Sequence, residues 1–224
     1  MKPKLLDLFC GAGGAAQGYS DAGFDVVGVD HIQQPNYPFK FILADVLDVL
    51  RDVSLLQSFD VVHASPPCQA HSPLAAIWRA RLGIDVWARK HPDLIPQTRE
   101  GLKASGQLYV IENVSPKPLR NAILLCGTFF DLKVYRHRYF EMPLFVLSPK
   151  HIPHKDNCPV VGRGKSRKGF ISVTGHGGFG FPGGWEYAQK AMGINWMSRK
   201  ELSQAIPPAY THWIGIQILK KVNL

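Results

Sequence analysis

Cys68, Glu112, Arg136 and Arg138 are the residues of this 224-residue chain whose types and settings point most directly to chemistry. Cys68 follows Ser65-Pro66-Pro67 at the end of the apolar run Phe59 to His63, which reads as a buried strand. A cysteine on a stiff proline loop at the carboxyl edge of a parallel sheet lies where open α/β sheets bind ligands, which is a nucleophile's position. A small buried apolar cysteine is the plainer alternative. Glu112 ends a second buried run, YVIE, so its carboxylate should face the crevice that holds Cys68, with its pKa raised by partial burial. Arg136 and Arg138 alternate with Tyr135 and His137 in an expected strand from Phe129 to Phe140. Two arginines on one face fit an anion or carbonyl clamp, although a solvated edge strand reads the same way.

The elements that must position these groups are strands ending at one sheet edge. Lys4 to Phe9 is a short strand, interrupted by Asp7, that leads into Gly11-Ala12-Gly13-Gly14 and a helix to about Ala22. Glycines at such a turn let a nucleotide lie against the backbone at a helix N-terminus, and a plain tight turn uses them too. The next strand ends in Asp30, where an acid can accept both ribose hydroxyls of a nucleoside cofactor. A third strand, Phe39 to Leu43, precedes Asp45, which either lines the same crevice or caps the helix expected from Val46 to Leu56. A helix from Asp93 to Ala104 and the Glu112 strand follow. Strand and helix alternation of this kind predicts an α/β fold with a mostly parallel sheet covered on both faces.

Two stretches read as contact surfaces. Ala70 to Pro92 has little periodicity and carries Trp78, Arg79, Arg81, Trp87, Arg89 and Lys90. A loop of that length suits a lid, and interleaved cations and aromatics suit a nucleic-acid backbone; a partly helical segment with inward tryptophans is the alternative. From Lys150 to Lys168 six cations, among them Lys165, Arg167 and Lys168, face only Asp156, and a glycine- and aromatic-rich stretch runs on to Trp185.

In order along the chain, DLFCGAGG, PPCQ and ENV resemble the motifs of the DNA cytosine-5 methyltransferases. The resemblance implies a Rossmann-like fold for S-adenosylmethionine-dependent methyl transfer, with Phe9, Gly11, Gly13 and Pro67 at the cofactor, Asp30 on its ribose and Asp45 on its adenine. It implies that Cys68 attacks carbon 6 of a flipped cytosine, that Glu112 serves ring nitrogen N3 and the exocyclic amine, and that Arg138 contacts O2. Gln69, Ser72, Arg79, Arg81, Lys165, Arg167 and Lys168 would then touch DNA. Nearby arginines are expected to favour the Cys68 thiolate. The chain departs from the family pattern at His71, where an aromatic is usual, at Val134, where RHRYF lacks the preceding glutamine, and at Gly215-Ile216-Gln217-Ile218, in place of Gly-Asn-x-Val. The resemblance divides the chain into a catalytic part, 1–148, a short basic target-recognition part, 149–189, and closing helices, 190–224, that return to the catalytic part. A target region this short means a small recognised site, or help from self-association or another subunit.

The bulk numbers agree with one core, since 46% hydrophobic and 19% charged residues exclude a mainly disordered chain. A net charge of +9 favours a polyanionic partner, here double-stranded DNA. Four cysteines without C-x-x-C spacing argue against a disulfide framework and against a zinc site, and the short apolar run at the N-terminus against a secretion signal or membrane span. The expectation is thus a metal-free intracellular enzyme, of the kind found in restriction-modification. The rival readings are a tRNA methyltransferase of the same lineage and an inactive DNA-binding regulator.

Overall fold

The computed structural model describes residues 1–72, 75–151, 154, 169–173 and 184–222. Among the described residues seven strands form one sheet: β1 Lys4–Leu8, β2 Asp25–Asp30, β3 Lys40–Leu43, β4 Val61–Ala64, β5 Leu108–Asn113, β6 Ile123–Leu125 and β7 Arg138–Glu141. Their order is β3-β2-β1-β4-β5-β7-β6. The first five pair in parallel, and β7 runs antiparallel to both β5 and β6. After β3 the chain crosses back past β1 to add β4 on its other side. That reversal opens a crevice at the carboxyl ends of β1 and β4, the place where doubly wound sheets take ligands.

The residues of β1 and β4 are nearly continuous apolar runs because both sheet faces are covered. Leu5, Val26, Val61 and Val110 pack on one face with Tyr19, Tyr210 and Ile214, while Leu6, Leu8, Val62 and Ile111 pack on the other with Leu56 and Leu102. Asp7 breaks the pattern. It is fully buried beside His63 and Gly28 in the register, both its oxygens lack a hydrogen-bond partner, and burial raises its pKa well above the carboxylate range. A carboxyl in that setting is held neutral.

Helix α1, Gly14–Ala22, opens on the left-handed Gly13 and closes on Gly23. The expected helix from Val46 to Leu56 is two short ones, α2 Val46–Val49 and α3 Val53–Gln57, because Asp52 caps the second by accepting from Leu55 N and so interrupts the first. The expected long loop after Cys68 is also helical, with α4 Ala75–Leu82 and α5 Ile84–Lys90, and Trp87 is buried with its ring 4.2 Å from that of His91. Helix α6, Ile95–Ser105, then leads into β5.

The strand expected from Phe129 to Phe140 is mostly not a strand. Residues Gly127–Phe130 form a 3-10 turn, Asp131 takes a left-handed conformation, and regular pairing begins only at Arg138. Val134 is fully buried and bridges Ile171 in a third apolar cluster with Val173, Met192 and Met197. A glutamine at that position would bury an amide there.

The closing helices are α7 Gly184–Met192, α8 Arg199–Gln204 and α9 Pro208–Val222. Helix α9 lies against α1 at backbone distance: a Cβ on Gly18 would come 2.0 Å from the Pro208 carbonyl and 2.2 Å from Thr211 Oγ1. Thr211 Oγ1 donates to the Ala15 carbonyl and Trp196 Nε1 to that of Ala12, which ties the end of the chain to the glycine turn. No helix among the described residues is long and apolar enough to cross a membrane.

Candidate active site

Cys68 begins a single 3-10 turn, Cys68–Ala70, directly after β4 and Pro66-Pro67. Its position is half-buried, neither packed into the interior nor free in solvent. Two features hold the loop: Ser72 N donates to the Cys68 carbonyl at 2.9 Å, and Asn113 Nδ2, at the end of β5, reaches the Pro66 carbonyl at 3.4 Å. The residue after Glu112 thus steadies the loop that carries the sulfur.

Glu112 is buried at the carboxyl end of β5, one strand over from Cys68. Its Oε1 lies 2.9 Å from Arg138 Nε, off the line of an ideal hydrogen bond, in an ion pair whose partners are 7% and 9% exposed. The antiparallel pairing of β7 with β5 sets this contact, since it places Glu112 opposite Phe140, two residues from Arg138. Burial raises the Glu112 pKa, against the lowering influence of Arg138, Arg136 and a side-chain hydrogen bond with Ser65.

The thiol of Cys68 feels both partners. Its pKa is raised, first by burial and then by Glu112, while Arg138 and Arg136 pull it down. The expectation that the arginines favour the thiolate is therefore half right: their influence is present and desolvation outweighs it.

Arg136 has other employment. It is 2% exposed, and its guanidinium donates to the carbonyls of Ala205 at 2.7 Å, Val173 at 2.6 Å and Ser203 at 2.9 Å, while Tyr210 Oη donates to the Arg136 carbonyl. A guanidinium spent on three carbonyls is a clamp on the chain's own C-terminal segments, and the sequence-based expectation of a substrate contact is corrected accordingly. Arg138 alone of the pair faces Glu112.

Behind Glu112 runs a polar chain that sequence reading missed. Tyr19 Oη lies 3.0 Å from His63 Nδ1, and His63 Nε2 lies 2.9 Å from Ser65 Oγ. His63 is fully buried, and burial lowers its pKa to about 3. Its mid-strand position among valines was the available signal, because a buried imidazole needs partners for both nitrogens.

On the other side of the crevice, Phe9, Gly11 and Gly13 all have positive φ, at 57°, 49° and 84°. A Cβ on Gly11 would meet nothing within 4 Å, so that face of the turn is open to a ligand. The buried Asp30 carboxylate accepts from Gly11 N and Ile32 N, which binds the tip of β2 to the turn. Turn, acid and the exposed Pro67 all stand at the carboxyl ends of adjacent parallel strands, a donor set that fits a nucleoside-bearing cofactor. Asp45 is exposed and caps α2, accepting from Leu47 N at 2.8 Å, so the capping alternative is realised. Gln69 is exposed and Ser72 half-buried beside Cys68; Arg79 and Arg81 ride on α4; Lys165, Arg167 and Lys168 lie outside the described residues.

A second constellation was unexpected. Cys126 Sγ and one ring nitrogen each of His137, His151 and His154 all lie within 4.8 Å of one another. Reading cysteine spacing alone could not find it, since only one of its four members is a cysteine.

Comparisons with known proteins bear on the family and the fold. Residues 3–77 match the family model for the C-5 cytosine-specific DNA methylase. The Type II methyltransferase M.AgeI of Thalassovita gelatinovora is 30% identical over 83 residues, which are 31% of this chain and 19% of that protein. The Type II methyltransferase M.HgiGI of Herpetosiphon aurantiacus is 30% identical over 95 residues, 37% of this chain and 75% of that one. The chain thus spans about a fifth of the first relative and three quarters of the second. Among solved structures, the S. pombe Dnmt2 methyltransferase superposes with a TM-score of 0.62 at 12% identity, covering 100% of both chains. The Entamoeba histolytica methyltransferase EhMeth gives 0.63 at 10% identity, covering 99% of each. At such identities the structures speak to the fold alone, which is the Rossmann-like methyltransferase fold. On the strength of the family match and of M.HgiGI, the chain belongs to the C-5 cytosine-specific DNA methylase family.

Proposed function

We propose that this protein transfers a methyl group from S-adenosylmethionine to carbon 5 of a cytosine flipped out of double-stranded DNA, with Cys68 as the nucleophile. The observation that supports the reading best is the buried Glu112–Arg138 pair at the carboxyl end of β5, one strand over from the half-buried Cys68 on the loop that follows β4.

Carbon 5 of cytosine is a weak nucleophile. Cys68 Sγ overcomes this by bonding to carbon 6, which pushes the ring's electron pair toward carbon 5 and N3. A raised thiol pKa makes the thiolate scarcer and more nucleophilic once formed. Glu112, whose pKa burial raises, hydrogen-bonds or protonates N3 as charge builds there. Arg138, oriented by Glu112, holds the O2 carbonyl. When bound, S-adenosylmethionine supplies an electrophilic methyl group on a sulfonium. Phe9, Gly11 and Gly13 would hold it through the backbone, Asp30 through its ribose, with Pro67 alongside. A solvent water or hydroxide then takes the carbon-5 proton, the freed electron pair restores the carbon 5–carbon 6 double bond and expels Cys68 as thiolate, and N3 returns its proton to Glu112. Ser65, His63 and Asn113 are positioning residues: the first two support Glu112 from behind and the third fixes the proline loop.

Inside a duplex the ring atoms are out of reach, so the base must be extruded at a cost of a few kcal/mol, which basic contacts from the chain's +9 charge help to offset. Transfer of tritiated methyl groups to duplex DNA, tRNA and a cytosine-free duplex tests the substrate class. Label in the cytosine-containing duplex alone is expected. Label in tRNA alone would replace DNA with RNA, and none in either would leave a binding protein.

A further inference from the structure

We infer that Cys126, His137, His151 and His154 form a closed four-ligand site for a zinc-class divalent cation, which fastens the segment after β7 onto the antiparallel edge of the sheet. Each residue contributes one ligand atom, and the set is brought together from three places. Cys126 directly follows β6, His137 directly precedes β7, and His151 and His154 belong to the chain beyond it.

The spacing of the four atoms carries the argument. Cys126 Sγ lies 3.2 Å from His154 Nε2, His137 Nε2 lies 3.1 Å from His151 Nε2, and His151 Nε2 lies 3.1 Å from His154 Nε2. A ring nitrogen has one in-plane site, holding either a proton or a lone pair. His151 Nε2 and His154 Nε2 each face two partners, so hydrogen bonds cannot satisfy the whole chain. One cation at the centre takes all four lone pairs at once. Zinc bonds of about 2.0–2.1 Å to nitrogen and about 2.3 Å to sulfur, in tetrahedral array, put neighbouring ligand atoms roughly 3.3–3.6 Å apart. The three contacts at 3.1–3.2 Å are slightly shorter than those edges, and the remaining pairs lie within 4.8 Å, a spread that one cation entering the centre would draw together.

The surroundings suit a metal site as well. Thr128 Oγ1 lies 3.3 Å from Cys126 Sγ, a donor for a thiolate. Tyr135 leans at a tilt on His154 with ring centroids 4.1 Å apart and stacks on Phe170 at 4.6 Å, and Phe129 meets His151 edge-on at 5.7 Å, an aromatic wall around the histidines. Four protein ligands leave no open position, so the site is structural and takes no part in methyl transfer. Its neighbour in sequence is Arg138, which points toward Glu112 while His137 points to the cluster. One ligand therefore anchors the backbone beside the residue that orients the Glu112 carboxylate.

The test uses the full chain purified without chelator. Inductively coupled plasma mass spectrometry is expected to find about one zinc per chain, falling at least fivefold in His151→Ala and in Cys126→Ser. The cobalt-substituted wild-type protein is expected to show intense tetrahedral d–d bands and a thiolate-to-cobalt charge-transfer band. That spectrum needs no variant, so it decides the matter even where a substitution prevents folding. Wild-type protein that holds well below one zinc after equilibration with zinc sulfate and desalting would overturn the inference. So would a folded variant that keeps its full zinc, or octahedral cobalt without the charge-transfer band.

Discussion

Arg138 Nε stands 2.9 Å from Glu112 Oε1 with both side chains nearly out of solvent, and this pair links the two strands that flank the proposed reaction centre. A buried ion pair of this kind gains little net stability, because desolvation offsets most of its attraction. Its use is orientation: each side chain fixes the other at the edge of the sheet, while burial keeps the Glu112 pKa raised. Arg138→Met is therefore expected to lower the single-turnover rate by about a hundredfold or more. It should also raise the Cys68 pKa further, since Arg138 is the largest influence holding that thiol down. A pH–rate profile of the variant checks this, and an unshifted thiol limb would separate Arg138 from Cys68.

Because the Cys68 pKa lies above the ordinary thiol value, the thiolate is a minority species at neutral pH. In rapid-quench experiments the chemical step should accelerate about tenfold for each pH unit between 7 and 8. A flat profile over that range would mean that the thiolate is preformed or that another step limits the rate.

Arg136 should behave unlike Arg138. Removing its guanidinium strands the carbonyls of Ala205, Val173 and Ser203, so Arg136→Met is expected to cost roughly 3 kcal/mol or more of stability. Urea unfolding measures it. A variant as stable as the parent but catalytically dead would return Arg136 to the reaction centre.

Buried His63 makes stability fall in acid. Its folded pKa of about 3 lies below the unfolded value near 6.5, so its contribution is complete above pH 6.5 and is lost as pH falls toward 3. His63→Gln should be less stable than the parent at pH 7. The difference should shrink by about 1.4 kcal/mol for each pH unit below 6.5, read from urea midpoints between pH 7 and 5.

Close packing of α1 on α9 makes a steric prediction. Gly18→Ala would drive a methyl group to 2.0 Å from the Pro208 carbonyl, where backbone must move. A loss of about 1–3 kcal/mol is expected, seen as a lower melting temperature, whereas Gly23→Ala meets no atom within 4 Å and acts only through its φ of 114°.

The sequence made Cys68, Glu112 and Asp30 legible because each sits at a strand end, and strand ends in a parallel sheet share one edge. Alternation within a short apolar run is enough to place them. Arg136 was misread because its neighbours in space come from residues 173 to 205, which no local pattern connects to it. Helices α4 and α5 leave little trace in the sequence because their apolar and charged residues lack a clean 3.6-residue stripe, so a loop and a partly helical segment read alike there. The Cys126 and histidine cluster stayed hidden for a similar reason: its members are drawn from separate segments, and three of them are not the residue type whose spacing was counted.

The central claim is a covalent bond between Cys68 and a flipped cytosine, and trapping that bond tests it most directly. A duplex carrying 5-fluorocytosine, incubated with S-adenosylmethionine and digested for mass spectrometry, is predicted to yield a nucleotide adduct on the peptide containing Cys68 and none with Cys68→Ala. Undiminished methyl transfer by Cys68→Ala, or an adduct mapped to any other residue, would contradict it.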